Sequence, residues 1–498
     1  MTGEVSGKVS GKVSGIDELR SYLRSRSAPL YVGVGAGGLV FAPPQQGVLV
    51  LGPPRSGKTT TLVIPNVLAA PGAVITTSTK PEVMAATAAA RGGDHGRCWL
   101  FDPGGTTEAP PGVTPIRWSP VAVCSTWDES LLCARAMVGA TRPGPPSGDA
   151  GHWLERAEAT LAPLLFAASL SGRGMADVQS WVLRHDLSTA GDVLAGRGAA
   201  VAADVLAGIG DTHARELSGI LSTTAGVLAA YRSTSALAVG ERVNFDPGAL
   251  VGTTDTVFVC APAREQELLA PIAVAFIDAA RAGAYQAARR GELETPMSLV
   301  LDEAANIAPL PGLPSLLSEG GSQGVVTLAC LQDLSQARDR WGPAADGFLS
   351  LFGSKVVLGG IGDLSTLELV SRLGGEIDVP ARSVSRSPWW VRGGGARSET
   401  WSAQRQRRLP VDAVHQQPPG SALLLSGPSA PCRVDLAPWW AMEPFRQAPP
   451  TPAPVRGPSP PSPEPTPTSV PERAAMARPR RVAEPPVIEA PGAEAAPW

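Results

Sequence analysis

The chain has 498 residues, enough for two or three domains, each with a sizeable core. With 42 Lys and Arg against 45 Asp and Glu, the formal net charge is −3, which excludes nucleic-acid binding through an overall basic field; a strand has to be held by a local patch. Six cysteines without a Cys-x-x-Cys pair, most of them in apolar runs, and only five histidines argue against a metal cluster or a disulfide scaffold and for buried thiols in a reducing cytoplasm.

In chain order, residues 1–27 read as a flexible N-terminal segment. Val-Ser-Gly-Lys is repeated from Val5 to Lys12, polar and glycine-rich, unlike a signal peptide. Ile16 to Arg26 has the composition of a short helix. The most apolar early stretch, Leu30 to Pro43, is too short and too glycine-broken to span a bilayer, and no run of about 18 apolar residues is expected elsewhere. Membrane contact is therefore expected only through a partner. Gly33-Val34-Gly35-Ala36-Gly37-Gly38 satisfies Gly-x-Gly-x-x-Gly, but Leu39-Val40-Phe41 follows it; a hairpin or loop is expected there, not a dinucleotide site.

Gly47 to Leu51 is a short apolar strand, and Thr59 to Leu68 a helix that Pro65 should kink or shorten. Ala73–Thr77 and Arg97–Phe101 are further buried strands. From about 120 to 250 the chain turns Ala/Leu-rich with helical spacing, as in Trp153, Ala157, Leu161, Leu164, Leu165 and Ala168, and reads as an all-helical insertion domain. Strands resume at Thr256–Ala261, Ser298–Leu301, Gly324–Leu331 and Lys355–Gly359. Continuous apolar runs separated by helices predict an α/β protein with a parallel-rich sheet covered on both faces. That domain is assembled from 28–119 and 251–445. Arg382 to Arg408, rich in Arg and Ser with Trp389, Trp390 and Trp401 interleaved, reads either as a nucleic-acid contact or as a mobile surface loop. Residues 446–498, dense in Pro, Ala and Glu, are expected to be disordered.

Two motifs carry the chemistry. Gly52-Pro53-Pro54-Arg55-Ser56-Gly57-Lys58-Thr59 matches the phosphate-binding loop Gly-x-x-x-x-Gly-Lys-[Ser/Thr], and it follows a strand and opens a helix. Glycines let backbone N–H groups turn onto phosphate oxygens, and the helix N-terminus favours the negative charge. Residues Gly52 to Thr60 are thus the expected ATP site, with Lys58 on the β- and γ-phosphates and the Thr59 hydroxyl on Mg2+. Met297 to Leu301 is an apolar strand ending in Asp302-Glu303. Asp302 is expected to hold Mg2+ through water, and Glu303 to polarise the attacking water. Gln332, at the end of the next strand, either senses the γ-phosphate or is an ordinary helix-start residue; Gln336 lies four positions on.

These landmarks resemble, in order, the coupling ATPases of conjugation and type IV secretion, a branch of the FtsK-like hexameric P-loop ATPases. The phosphate loop is followed by Thr79-Lys80-Pro81-Glu82, Phe101-Asp102-Pro103, and His152-Trp153 with its alanine-rich helix. Leu301-Asp302-Glu303, Leu331-Gln332-Asp333-Leu334-Ser335-Gln336, Gly374-Gly375 and Arg407-Arg408-Leu409-Pro410 complete the series. The resemblance implies a RecA-like motor using ATP and Mg2+, and a homo-hexamer that delivers single-stranded DNA or a relaxase–DNA complex to secretion-channel proteins. It places the protein in the cytoplasm or at the inner face of the membrane. Ser78 stands where the family often has Asp, and Gly321-Ser322-Gln323-Gly324 lacks the family's arginine. Of Arg338, Arg340 and Arg372, the last is expected to act in trans on a neighbour's γ-phosphate. Two other readings stay open: a different hexameric translocase or helicase, and a nucleotide-gated docking platform without turnover.

Overall fold

The computed structural model describes residues 15–141, 149–386, 390 and 397–447. The Pro-rich tail from 448 onward, the repeat at 5–12 and Trp389 lie outside the described residues. The strands, in chain order, are β1 (Tyr31–Gly35), β2 (Gly38–Phe41), β3 (Val48–Leu51), β4 (Val74–Ser78), β5 (Cys98–Phe101), β6 (Val113–Pro115) and β7 (Thr256–Cys260). There follow β8 (Met297–Leu301), β9 (Val325–Leu331), β10 (Ser354–Leu358), β11 (Glu376–Arg386), β12 (Arg397–Arg407), β13 (Ser421–Ser426) and β14 (Cys432–Asp435).

Strands buried along their whole length need pairing on both edges and a layer on both faces. β3, β4, β7, β8 and β9 meet that condition and form the middle of a 12-stranded sheet, ordered β2-β1-β14-β13-β10-β3-β9-β8-β4-β7-β5-β6. From β10 to β6 all pairings are parallel. β13, β14, β1 and β2 add an antiparallel wing. The Gly33–Gly38 stretch forms the end of β1, the turn and the start of β2, a hairpin of the kind its sequence suggested.

Side-chain alternation along β3 sends Leu49 and Leu51 to one face and Val48 and Val50 to the other, into two separate cores. The first core is shared with the helical region. Between 120 and 250 the described residues hold helices and no strand, including Trp127–Ala140 and Asp149–Ser171. The former starts with a capping box, Thr126 Oγ1 accepting from Glu129 N–H while the Glu129 carboxylate accepts from Thr126 N–H. Leu161, Leu164, Leu165 and Ala168 of the latter belong to the same apolar cluster as Leu49 and Leu51. The junction between the two regions is aromatic. Phe276 stacks on Phe101 with ring centroids 4.4 Å apart and meets Trp118 edge-on at 5.3 Å.

Two expectations need correction. The expectation of a flexible segment over 1–27 fails for its described residues. Ile16–Arg24 is a helix whose Leu19 and Leu23 are buried in the second core, and Arg20 donates to the carbonyls of Leu68 (2.9 Å) and Ala90 (3.0 Å). Its partners lie far along the chain, so local polarity gave no hint of them. The expectation that no segment has the length and apolarity to cross a membrane also fails for one helix, Gln266–Arg290. In the fold this is a core helix, with Leu269, Ile272, Phe276 and Ile277 buried against the sheet and the insertion. Gly291, at φ +69°, ends it in a left-handed cap after Arg289 and Arg290.

Of the Arg382–Arg408 segment, expected to be a nucleic-acid contact or a mobile loop, the described residues are mostly strand. They belong to a two-stranded ribbon, β11 paired antiparallel with β12 in continuous register from Glu376↔Arg407 to Arg386↔Arg397. Cys98, Cys124, Cys133, Cys260 and Cys330 are buried free thiols; Cys432 is exposed.

Candidate nucleotide site

Register brings the motifs to one sheet edge. Leu51 of β3 is level with Leu331 of β9, Leu301 of β8 with Ala329 of β9, and Thr77 of β4 with Leu301. The segments leaving these parallel strands therefore emerge side by side: the phosphate loop, Gln332, Asp302-Glu303 and Ser78. Gly52 N–H donates to Leu331 O at 3.1 Å, extending the ladder into the loop.

The loop needs its glycines for different reasons. A Cβ on Gly52 would lie 2.8 Å from Ser56 Oγ and 3.1 Å from Leu358 Cβ, so close approach requires glycine. Gly57 has room for a side chain but sits at φ +91°, and Arg55 is also left-handed at φ +64°. Lys58 is buried, and its Nζ donates to the carbonyls of Gly52 (2.6 Å) and Pro53 (3.0 Å). Ser56 Oγ is buried without a hydrogen-bond partner.

Thr59 opens a π-helical turn, Thr59–Val63, which passes into the α-helix Ile64–Ala69. Pro65 supplies the reason. It has no N–H to give Thr61, so the turn ahead of it widens and Ile64 N–H bonds Thr59 O instead. This is the local form of the kink expected at Pro65. Thr60 and Thr61 hydroxyls fold back to Gly57 O at 3.1 and 2.9 Å.

Thr59 Oγ1 donates to Asp302 Oδ2 at 2.6 Å, which joins the two motifs. Thr77 Oγ1 donates to Asp302 O at 2.6 Å and pins the end of β8. Asp302 is only 6% exposed; burial raises its pKa, and the Thr59 hydroxyl and the Lys58 charge pull the other way. Glu303 has φ +54°, unusual for a non-glycine residue. Its pKa is raised, first by burial and then by the neighbouring Asp302 charge. Its carboxylate accepts from Asn306 Nδ2 at 3.1 Å, and the side chains of Asn306 and Gln332 pull its pKa the other way. Gln332 N–H in turn donates to Gln336 Oε1 at 3.0 Å. A cavity of about 430 Å³, lined by Gln266, Glu267, Asn306, Gln336, Asp339 and Arg340, adjoins this cluster.

The expected residues Gly52–Thr60, Asp302, Glu303 and Gln332 thus meet, and Arg372 does not join them. It lies exposed in the last turn of the helix Leu364–Leu373, 3.3 Å from Glu368. Arg338 is engaged by Asp346 and Asp363, and Arg340 donates to Ala140 O. The turn 321–324 is tightly packed: a Cβ on Gly321 would strike Gln45 O. Sequence reading missed Asn306, three positions after Glu303, and Thr77 at the end of β4. The i, i+3 spacing could have flagged the first; only strand register identifies the second.

A parallel sheet with a phosphate loop after a central strand, and a Thr–carboxylate pair bridging to a strand two places away, defines a RecA-like P-loop protein of the α/β class. A family model described as type IV secretory system conjugative DNA transfer matches residues 2–122, and one described as TraM recognition site of TraD and TraG matches 296–419. Lying on either side of the helical insertion, the two matches make the chain similar to the coupling proteins of type IV secretion. The bacterial conjugative coupling protein TrwBΔN70, unbound, has the same fold: TM-score 0.62, 18% identity, covering 84% of this chain and 91% of that one. TrwB in complex with the GTP analogue GDPNP matches with TM-score 0.60 at 19% identity, over 84% and 92%. TrwB in complex with ADP and Mg2+ matches with TM-score 0.59 at 18% identity, over the same shares. No curated protein sequence matches the chain.

Proposed function

We propose that the protein is an ATP-hydrolysing coupling protein that recruits DNA or a nucleoprotein cargo and drives it into a conjugation or type IV secretion channel. The observation that carries this is the Thr59–Asp302 contact, which sets a hydroxyl and a carboxylate where the phosphate loop meets the end of β8. The chemistry of the surrounding groups fits a nucleotide: a buried ammonium resting on two loop carbonyls, an unpartnered Ser56 hydroxyl and a glycine cradle. Gly52 to Thr60 would hold the phosphates of ATP, with Lys58 exchanging its carbonyl partners for them, and Thr59 and Asp302 would hold Mg2+. Bound Mg–ATP supplies the transferable phosphoryl group and neutralises its charge. Glu303, held by Asn306, orients a water and accepts its proton; a raised pKa suits such a base. That TrwB has been captured with ADP and Mg2+ supports the assignment.

In this reading a neighbouring subunit of a homo-hexamer lends Arg372, and the helical insertion selects a relaxase–DNA complex or a secreted protein. The protein works in the cytoplasm and reaches the membrane through a partner. ATP turnover measured with and without single-stranded and duplex DNA tests the proposal. Lys58→Ala should stay folded yet lose hydrolysis, and Glu303→Gln should bind ATP without turning it over. Normal turnover by purified Lys58→Ala would mean that another site does the work.

A further inference from the structure

The β11–β12 ribbon has two chemically different faces, a distinction that becomes visible only with its register. On one face the pairs are Glu376/Arg407, Asp378/Arg405, Pro380/Ala403, Arg382/Trp401 and Val384/Glu399. The other face carries Ile377/Gln406, Val379/Gln404, Ala381/Ser402 and Ser383/Thr400, with no charge at all. Every charged residue of the ribbon's described side chains, and its exposed tryptophan, lies on the first face. Trp401 is 64% exposed, and the Arg382 guanidinium sits 5.9 Å from its ring centroid. From 376 to 408 the sequence holds seven arginines against three acids, in a chain whose net charge is −3. Two of those acids, Glu376 and Asp378, stand at the root of the ribbon.

We propose that the charged face of this ribbon binds a single strand of nucleic acid, one base stacking on Trp401 while Arg382, Arg405 and Arg407 meet phosphates. The proposal rests on the coupling-protein reading and names the surface that would grip the cargo. An exposed aromatic ring beside a guanidinium offers a stacking platform for an unpaired base, which a duplex cannot present. The ion pairs Arg382–Glu399 and Arg405–Glu376 are exposed, so their exchange for phosphate costs little. A protein partner would be expected to use the uncharged face, where Ile377 and Val379 lie.

The test is titration of the full chain with fluorescent oligothymidylate, and with a duplex of equal length, across a range of salt. Trp401→Ala should weaken single-strand binding about tenfold. Arg382→Ala with Arg405→Ala should flatten the slope of log K against log salt by about 0.7 for each lost phosphate contact. Thr400→Ala with Gln404→Ala, on the opposite face, should change neither, and nucleotide binding should be intact in all variants. Wild-type affinity and salt slope in the charged-face variants would overturn the ribbon assignment while leaving the coupling reading in place. No binding of any DNA by the unaltered chain would overturn both.

Discussion

Glu303 combines an uncommon backbone conformation with a demanding chemical position. A left-handed φ costs of order 1 kcal/mol for a residue with a side chain, and the surroundings have to over-determine it. They do: Thr77 holds the preceding carbonyl, and Asn306 holds the carboxylate. Arg372 is the opposite case, a guanidinium on the surface with one exposed partner, Glu368. If it serves a neighbouring site, Arg372→Ala spares ATP binding and slows hydrolysis at least ~100-fold, about 2.7 kcal/mol of barrier. Mixing inactive Arg372→Ala with inactive Glu303→Gln subunits should then restore part of the activity, because each site draws on two chains. Normal turnover by Arg372→Ala would move the trans residue elsewhere.

A second residue-scale consequence concerns His95. Its Nε2 lies 3.0 Å from Nη1 of Arg91, a fully buried guanidinium that also donates to the carbonyls of Gly72 (2.8 Å) and Thr254 (2.9 Å). Burial, then the charges of Arg91 and Arg20, push the His95 pKa down from 6.5 to about 3. The unfolded chain therefore binds a proton that the folded chain refuses. His95 favours the fold fully above pH 6.5, and this contribution is lost as pH falls from there toward about 3. Denaturant midpoints of the parent chain should drop over that interval, and His95→Gln should drop less steeply; parallel curves would contradict the assignment.

At the scale of elements, the helix Gln266–Arg290 shows why apolar length alone does not make a membrane span. The same residues that satisfy a bilayer satisfy a core, and here Phe276 fills the space between Phe101, Trp118 and Phe245. Phe276→Ala should cost roughly 3–5 kcal/mol through lost burial and a residual cavity. Because the cluster joins sheet and insertion, a single unfolding transition at lower denaturant is expected, not separate loss of the insertion. The ribbon follows a different logic. Its charges fall on alternate positions, as in Glu376, Asp378, Arg382 and then Glu399, Arg405, Arg407. That period marks a strand pair, but it is easily passed over when the alternating residues are charged and both faces are exposed.

At the scale of the whole molecule, the sheet order decides where the chemistry lies. β9 and β8 are inserted between β3 and β4, so the chain's second motif returns to lie beside its first across 243 residues. Ligands gather at the carboxyl edge of such a sheet, where parallel strands release their loops together. Since the one described helix long and apolar enough to span a bilayer is mostly buried in the core, the chain expressed without partners should remain in the soluble fraction of a lysate. Recovery only from detergent-extracted membranes would argue for an anchor beyond the core helix.

What the sequence determined by itself was local. The phosphate loop, the apolar strands of the middle of the sheet and the helical spacing of 120–250 are patterns within a few residues, set by side-chain periodicity and by what glycine, proline and β-branched residues permit. The Asp302-Glu303 motif was legible for the same reason, as two carboxylates after an unbroken apolar run. Only the tertiary structure decided which of these segments meet. The docking of Ile16–Arg24 on Leu68 and Ala90, the hold of Thr77 on Asp302 and the interior place of Gln266–Arg290 all depend on partners tens to hundreds of positions away. Such contacts are selected by the free energy of burying apolar surface and pairing backbone groups together, a property of the assembled fold that no single stretch of chain contains.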